Sequence, residues 1–297
     1  MELPDTVPFI AAGEPPTPPI SPVPCSVRSF GLTDPGRVRP SNQDQFVIVE
    51  LARTMSIHGT SIPQAKAQYS RHRGHILLVA DGMGGHQAGE VASALSVTSV
   101  EAFLLNTLNR FFNLKASDEQ NVLMEFQSAL LQTDAKMFEE ASQHPELVGM
   151  GTTLTMAFVV DWRLFLAHVG DSRCYVFSRN ELHQLTRDHS MVAELVRRGA
   201  MSPLEASHHP NRHVITNVLG GPQQGAQVEL HKLDLEPDDI VLLCSDGLTE
   251  MVSDDRIAAV LREEYEPKKI CERLVAQANE GGGQDNITVV VAIFEAS

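Results

Sequence analysis

The chain has 297 residues, a formal net charge of −15 at pH 7, 42% hydrophobic residues and 21% charged residues. This length suffices for one large domain or two small ones with a substantial core, and the composition is typical of a globular protein. The acidic balance argues against a nucleic-acid-binding surface, so a phosphate site would need local positive charge from metal ions or a placed arginine.

Cysteine spacing and hydropathy indicate the cellular compartment in which the protein works. Four cysteines lie far apart without ligand-like spacing, and two of them fall inside apolar strand-like runs: Cys25, Cys174, Cys244 and Cys271. They are predicted to be reduced core residues. No apolar stretch approaches the roughly 20 residues of a membrane span, and no Lys or Arg precedes Arg28, so a signal peptide is not predicted. We therefore expect a cytoplasmic monomer without nucleic-acid or membrane partners.

The N-terminal region differs in composition from the rest of the chain. Residues 1–25 hold eight of the 17 prolines and few large apolar residues. Such a segment cannot bury a core and is predicted to be a disordered or polyproline-like tail, either solvated or used for docking. A folded domain over 26–297 follows, with an exposed insertion predicted at 52–74.

The first half of this domain is predicted to form three strands and two helices. The strands cover 26–33, 44–51 and 76–80, and a tight turn at Asp81-Gly82 ends the third. The first helix follows from apolar residues near the 3.6-residue period: Val91, Leu95, Phe103, Leu104, Leu108 and Phe111. The second helix covers about 118–141, with Val122, Phe126, Leu130 and Met137 on one face.

The second half is predicted to be richer in strands. Short β-branched or aromatic runs at 152–160, 163–169 and 173–177 indicate an antiparallel meander. The flap region, about 182–225, is less regular. A short helix is predicted at 191–198, ahead of a loop with His208, His209 and Pro210 that is interpreted as a mobile flap. Strands at 228–235, 240–244 and 287–294 and helices at 254–263 and 267–279 complete the chain. This order predicts an α+β fold of antiparallel sheets with helices packed outside.

Acidic residues recur at the ends of the predicted strands. Two buried strands end in Asp-Gly, at Asp81 and Asp246, and either pair alone is readily explained as an ordinary turn. Three further carboxylates, Asp44, Asp171 and Asp285, also stand at strand ends, and Arg39 lies nearby in sequence. Turn chemistry does not require this recurrence. Since Mg²⁺ and Mn²⁺ prefer oxygen ligands, the set indicates a shared divalent-cation site.

Six ordered motifs carry a family resemblance: RPSNQD at 39–44, DGMGGH at 81–86, GMGTT at 149–153, GDSR at 170–173, SDG at 245–247 and DN at 285–286. In this order they resemble the metal-dependent type 2C serine/threonine protein phosphatases, specifically the bacterial branch. The match spans roughly 26–294. It implies a central β-sandwich of two antiparallel sheets with a pair of helices on each side, that is, α/β/β/α layers.

The resemblance also implies roles for individual residues. Asp81 and Asp246 would bind two core Mn²⁺ or Mg²⁺ ions, with the Gly82 carbonyl and Asp285 completing the protein ligands. Asp171 would share a third, weaker site with Asp246. Asp44 would support the cluster, mostly through water, and Arg39 would hold the substrate phosphate.

Two positions depart from the family pattern. Many members have Glu-Asp where this chain has Gln43-Asp44, and a neutral amide cannot replace the charge of a carboxylate. The same members carry a histidine, credited with protonating the leaving group, where this chain has Met83. The nearest histidine is His86, which is interpreted either as that acid or as a structural residue.

The implied reaction is hydrolysis of phosphoserine and phosphothreonine in proteins phosphorylated by a Ser/Thr kinase. Two ions about 3.5–4 Å apart can share a water and lower its pKa toward about 7, so that hydroxide attacks phosphorus without a covalent phosphoenzyme. Two alternatives stay open. One is a non-catalytic regulatory module of the same fold, disfavoured by retention of the acidic set. The other is a hydrolase of small phosphoesters.

Overall fold

The computed structural model of the protein describes residues 25–52, 73–84, 88–111 and 119–296. The predicted tail up to residue 24, most of the predicted insertion and His86 lie outside these ranges. The boundaries of 1–25 and 26–297 as separate units therefore stay predictions.

Two antiparallel sheets form the centre of the fold. The first has five strands, in the spatial order Cys25–Asp34 (β1), Ile287–Ala296 (β12), Ile240–Cys244 (β11), Arg173–Ser178 (β7) and Glu181–Gln184 (β8). The second contains Glu229–Asp234 (β10), Arg163–Val169 (β6), Leu154–Val160 (β5), Arg73–Met83 (β3) and Asp44–Ala52 (β2). Beyond its pairing with β5, β3 also pairs with Gly151–Thr152 (β4), which pairs in turn with Leu219–Gly220 (β9).

Seven α-helices surround or connect the strands in the described residues. They are Ala88–Phe111 (α1), Glu119–Gln143 (α2), Met191–Arg197 (α3), Pro203–Ser207 (α4), Asp246–Thr249 (α5), Asp254–Glu263 (α6) and Pro267–Glu280 (α7). Helices α1 and α2 pack on the second sheet, and α6 and α7 on the first. A short 3₁₀ turn, Pro145–Leu147, leads from α2 to β4.

Three hydrophobic layers hold these elements together, because each strand of the sandwich has one face toward the other sheet and one toward helices. Leu77 and Val79 of β3 meet Val290 of β12 between the sheets. Their sequence neighbours Ile76 and Leu78 point to the opposite side, against α1 and α2. This α+β sandwich with a helix pair on each side confirms the predicted fold class.

Helix α1 corrects two expectations. Val91 was predicted on its buried face but is 37% exposed, whereas Ala88 and Ala92 are buried. The small alanines allow the helix to approach β3 closely, a preference that the spacing of large residues does not show. The stretch Ala88–Leu105 is also apolar and long enough to span a membrane by composition, with a mean hydropathy of 1.3. The expectation that no stretch approaches a span was therefore too strong, although this helix lies against the sheet.

The prediction that Asp81-Gly82 is a tight turn that ends its strand was wrong. Strand β3 continues through Asp81 and Gly82 to Met83, because Gly82 and Met83 pair with β4. Asp246 and Gly247 begin helix α5. The strand predicted at 152–160 is divided at Thr153, which lies between β4 and β5.

The flap region, 182–225, is more regular than the sequence indicates. It contains β8, α3, the unpredicted α4 and β9. Helix α4 begins at a capping box in which the Ser202 side chain accepts from the Glu205 N–H and the Glu205 carboxylate accepts from the Ser202 N–H. The sequence Ser202-Pro-Leu-Glu205 carries this signal, which the sequence analysis did not use.

Candidate metal centre

Strand register places the first two carboxylates side by side. Asp44 is paired with Asp81 at one end of the β2–β3 ladder. The Asp81 backbone is held on its other side by Thr153, whose N–H donates to the Asp81 carbonyl at 2.9 Å and whose hydroxyl accepts from the Asp81 N–H at 3.0 Å. The break at Thr153 thus fixes the strand segment that carries Asp81.

Gly82 occupies a position with no space for a side chain. A methyl group there would lie 2.1 Å from the Gly89 carbonyl oxygen and 2.8 Å from that of Gln43. The Gly82 N–H donates to the same Gln43 carbonyl at 3.2 Å. The Gly82 backbone therefore lies between the start of α1 and the segment before β2.

Asp44 is anchored by two hydroxyls that the sequence analysis missed. Ser245 and Thr288 each donate from Oγ or Oγ1 to Asp44 Oδ2 at 2.7 Å. The Ser245 hydroxyl also accepts from the Thr288 N–H at 2.9 Å. Ser245 directly precedes Asp246 in the SDG motif, a signal that could have marked it. Because Thr288 lies in β12 and Ser245 directly follows β11, both at the first sheet, and Asp44 begins β2 of the second, the contact joins the two sheets.

The remaining carboxylates come from connections around the first sheet. Asp171 lies in the turn between β6 and β7, and the hydroxyl of its neighbour Ser172 is 2.6 Å from that of Thr153. Asp246 starts α5 after β11, and Asp285 precedes β12. The Thr153–Ser172 contact links the Asp171 turn to the strand segment that carries Asp81.

Three of these carboxylates have oxygens without partners. Among the described residues, Oδ1 of Asp44, Asp171 and Asp246 is buried and accepts no hydrogen bond. Buried polar atoms in proteins nearly always have partners, so each such atom needs an explanation. Oxygen-rich, converging and unsatisfied carboxylates are the donor set that Mn²⁺ and Mg²⁺ prefer, and the residues present therefore fit the divalent ions that the resemblance implies.

The proton affinities of the cluster agree with this fit. Burial, opposed by hydrogen bonds from Thr288 and Ser245, raises the pKa of Asp44 to about 6. Burial and the nearby Asp188 raise the pKa of Asp171 to about 7. Burial and the neighbouring carboxylates hold the pKa values of Asp81 and Asp246 well above the usual range. Without cations, the cluster therefore favours protonation over full ionisation.

Arg39 reaches the cluster from the loop before β2. Its Nη2 donates to Asp285 Oδ2 at 2.6 Å, and hydrogen bonding to Asp285 raises the pKa of the guanidinium. Asn286 holds this loop: its Oδ1 accepts from the Gln43 N–H, and its Nδ2 donates to the Ser41 carbonyl at 2.9 Å. The structure thus brings Arg39 and Asp285 together, although 246 residues separate them.

An unpredicted histidine also enters the cleft. His213, from the flap region, places Nδ1 2.6 Å from Glu250 Oε1. Ligand atoms of His213, Asp246 and Glu250 lie within 4.8 Å of one another, a spacing that permits metal binding. The sequence analysis treated the nearby His208 and His209 as flap surface and did not single out His213.

A cavity of about 460 Å³ collects most of the predicted site residues: Arg39, Asp81, Gly82, Asp246 and Asp285. Asp44 lies buried beside it, and Asp171 lines a neighbouring cavity that shares Asp246. Seven of the eight predicted site residues therefore converge at one end of the sandwich, and the eighth, His86, lies outside the described residues.

A second cluster of titratable groups is satisfied internally. His168 is fully buried, with Nδ1 2.8 Å from the Thr155 hydroxyl and Nε2 3.2 Å from the Arg187 carbonyl. Its ring lies 4.9 Å from that of His189, whose Nε2 is 3.4 Å from Glu229 Oε2. Burial, with His189 adding to it, lowers the pKa of His168 to about 4.

A two-sheet sandwich with acidic residues gathered at one end belongs to a class of folds whose oxygen-rich site suits divalent cations. Comparison with known families is consistent with this class. The family described as Protein phosphatase 2C matches residues 56–280, and the chain belongs to that family.

Individual relatives agree. The chain is 34% identical to protein phosphatase PhpP of Streptococcus pneumoniae over 262 residues, covering 88% of this chain and 94% of the relative. It is similar to the crystal structure of the Mycobacterium tuberculosis serine/threonine phosphatase PstP/Ppp, with a TM-score of 0.73, 33% identity and coverage of 91% and 99%. A structure of the PstP catalytic domain in complex with two manganese ions gives a TM-score of 0.72 and 32% identity, again covering 91% and 99%.

Proposed function

We propose that this protein hydrolyses phosphoserine and phosphothreonine in proteins, using Mn²⁺ or Mg²⁺ held by the carboxylate cluster. The observation that carries the proposal is the convergence of three unpartnered buried carboxylate oxygens, on Asp44, Asp171 and Asp246, beside an arginine-containing cleft. Membership of the family and the manganese complex of a relative support the same reading.

The ligand set follows from the residues that line the cleft. Asp81, Asp246, Asp285 and the Gly82 carbonyl would hold two ions, and Asp171 with Asp246 would hold a third. When bound, the ions supply an activated water and neutralise phosphoryl charge. Asp44 would support the ions, mostly through water. Its contacts with Ser245 and Thr288 keep it fixed beside Asp81.

Arg39 positions the phosphate. Its guanidinium pairs with Asp285 at the edge of the cleft, and its side chain is 53% exposed, so an incoming phosphate can reach it. A planar guanidinium can donate two parallel hydrogen bonds to phosphoryl oxygens, which fixes their orientation. We therefore assign substrate binding to Arg39. Met83 cannot protonate the departing oxygen, because a thioether carries no acidic proton.

Hydrolysis of a phosphothreonine peptide tests the proposal. Wild type with Mn²⁺ should release phosphate, whereas wild type in EDTA and Asp246→Asn with Mn²⁺ should not. Asp255→Asn is the matched control, because it is the same substitution at an exposed position in the first turn of α6. Equal rates in all samples would refute the metal-dependent reaction. If the protein hydrolysed p-nitrophenyl phosphate but did not hydrolyse the phosphothreonine peptide, a small-phosphoester hydrolase would be favoured instead.

A further inference from the structure

A second and larger cavity adjoins the metal cleft. It has a volume of about 660 Å³ and lies between the flap region and α5. Asp246 and Glu250 line both cavities, so the two spaces meet at the candidate metal centre. A peptide whose phosphorylated residue enters the cleft would therefore bring its neighbouring residues to this cavity.

The acidic groups of this cavity are already engaged. Asp188 receives two hydrogen bonds from Arg173, at 2.9 and 2.7 Å. Glu250 pairs with His213. The two remaining acids of the lining, Asp171 and Asp246, belong to the proposed metal site. None of the four is a free anion once metal is bound.

Most of the arginines that line this cavity, in contrast, have no carboxylate partner in the part of the chain that the structure describes. Arg187, Arg197 and Arg212 line the cavity in addition to Arg173. Within the described ranges, Arg187 and Arg212 make no salt bridge, and Arg197 makes only a 3.4 Å contact with the Asp188 carbonyl. Unpaired guanidinium groups at one cavity are notable in a chain with a net charge of −15. Once the acids of the lining are engaged, these guanidinium groups give the cavity a locally positive character.

We propose that this cavity binds an acidic group of the phosphoprotein substrate, either a carboxylate or a second phosphate near the phosphate being removed. The inference rests on the proposed phosphatase function and adds a preference among its substrates. Guanidinium groups recognise both anions through charge-assisted hydrogen bonds, since both present paired oxygens. Arg187 and Arg212 determine this preference and take no part in holding metal.

A set of phosphothreonine peptides tests the inference. The peptides share one sequence and carry Ala, Glu or phosphoserine at successive positions on each side of the phosphothreonine. For wild type with Mn²⁺, kcat/KM should be highest for Glu or phosphoserine at one or two positions, by about two- to fivefold per engaged arginine. A preference for phosphoserine alone would identify a second phosphate as the ligand, and equal preference would identify any anion.

Variants assign the effect to the cavity. Arg187→Ala and Arg212→Ala should abolish the preference while leaving hydrolysis of p-nitrophenyl phosphate unchanged, because that substrate is too small to reach the cavity. Arg198→Ala is the matched control, since Arg198 is exposed next to α3, pairs with Glu194 and does not line the cavity. It should keep the preference.

Two results would overturn the inference. Equal kcat/KM for the Ala, Glu and phosphoserine peptides in wild type would overturn it and leave the phosphatase function intact, as would an unchanged preference in both arginine variants. If no phosphopeptide were hydrolysed in the presence of Mn²⁺, both the inference and the proposed function would fail.

Discussion

Replacement of Asp44 by asparagine should stabilise the metal-free protein. Asp44 is 2% exposed, and its environment raises its pKa from 3.8 to about 6. The folded protein therefore resists ionisation of this group. The stability associated with its protonated form is fully present below pH 3.8 and is lost as the pH rises through 6. Asparagine removes the charge and keeps an amide oxygen that can accept from Ser245 and Thr288.

The expected gain follows from the size of the shift. A displacement of roughly two pKa units corresponds to about 3 kcal/mol at 1.36 kcal/mol per unit. In EDTA at pH 8, Asp44→Asn should therefore raise the free energy of unfolding by up to about 3 kcal/mol, and at pH 4 the difference should approach zero. Urea unfolding followed by circular dichroism measures both values.

Asp134→Asn is the matched control for Asp44→Asn. Asp134 is equally buried, but its two oxygens accept from the Gly220 and Gly225 N–H groups at 2.7 and 2.9 Å. An asparagine at position 134 would place its NH₂ group against a backbone N–H donor. This should lower the free energy of unfolding by about 1–3 kcal/mol at both pH values. If Asp44→Asn destabilised the metal-free protein at pH 8 as Asp134→Asn should, the conclusion that the metal-free cluster disfavours a charge on Asp44 would be wrong.

Three further predictions concern metal, substrate and acid. Mn²⁺ at 100 times its dissociation constant should add about 2.7 kcal/mol per bound ion to the free energy of unfolding, and Asp246→Asn should lose most of this gain in a thermal-shift titration. Arg39→Ala should lower kcat/KM for a phosphothreonine peptide by about ten- to a hundredfold, the value of a charged hydrogen bond; steady-state kinetics with an unchanged rate would contradict its phosphate role. Because the pKa of buried His168 falls from 6.5 to about 4, its stabilising contribution is present above pH 6.5 and is lost as the pH falls through 4. The stability advantage of wild type over His168→Gln, measured by urea unfolding, should shrink by about 3 kcal/mol from pH 7 to pH 4, and a constant difference would show that His168 does not titrate this way.

The sequence was most informative where side-chain chemistry and periodicity agree. Strands 163–169 and 240–244 and helix 254–263 coincide with the observed elements. The acidic residues at strand ends indicated a cation site, and the structure brings Asp44, Asp81 and Asp246 together. Their spacing along the chain gives no geometry, however. Only the pairing of β2 with β3 and the packing of the sheets show which carboxylates meet.

The errors have a common physical cause, namely tertiary contacts that override local preference. Asp81-Gly82 is a good turn sequence, yet β4 pairs with Gly82 and extends the strand. Only folding brings the hydroxyls of Ser245 and Thr288 to Asp44. His213 reaches Glu250 only because the flap region folds back over α5. Apart from the SDG motif, which contains Ser245, no local pattern in the sequence marks these long-range partners.

The origin of the carboxylates in two separate sheets has a mechanical consequence. Asp44 and Asp81 extend from one sheet, whereas Asp246 and Asp285 flank strands of the other. Divalent ions held by these carboxylates would connect the two sheets, so their binding would depend on the distance between the sheets. Smaller side chains in the core between the sheets, for example at Leu77 or Val290, should therefore lower the affinity for divalent cations, although neither residue is a proposed ligand.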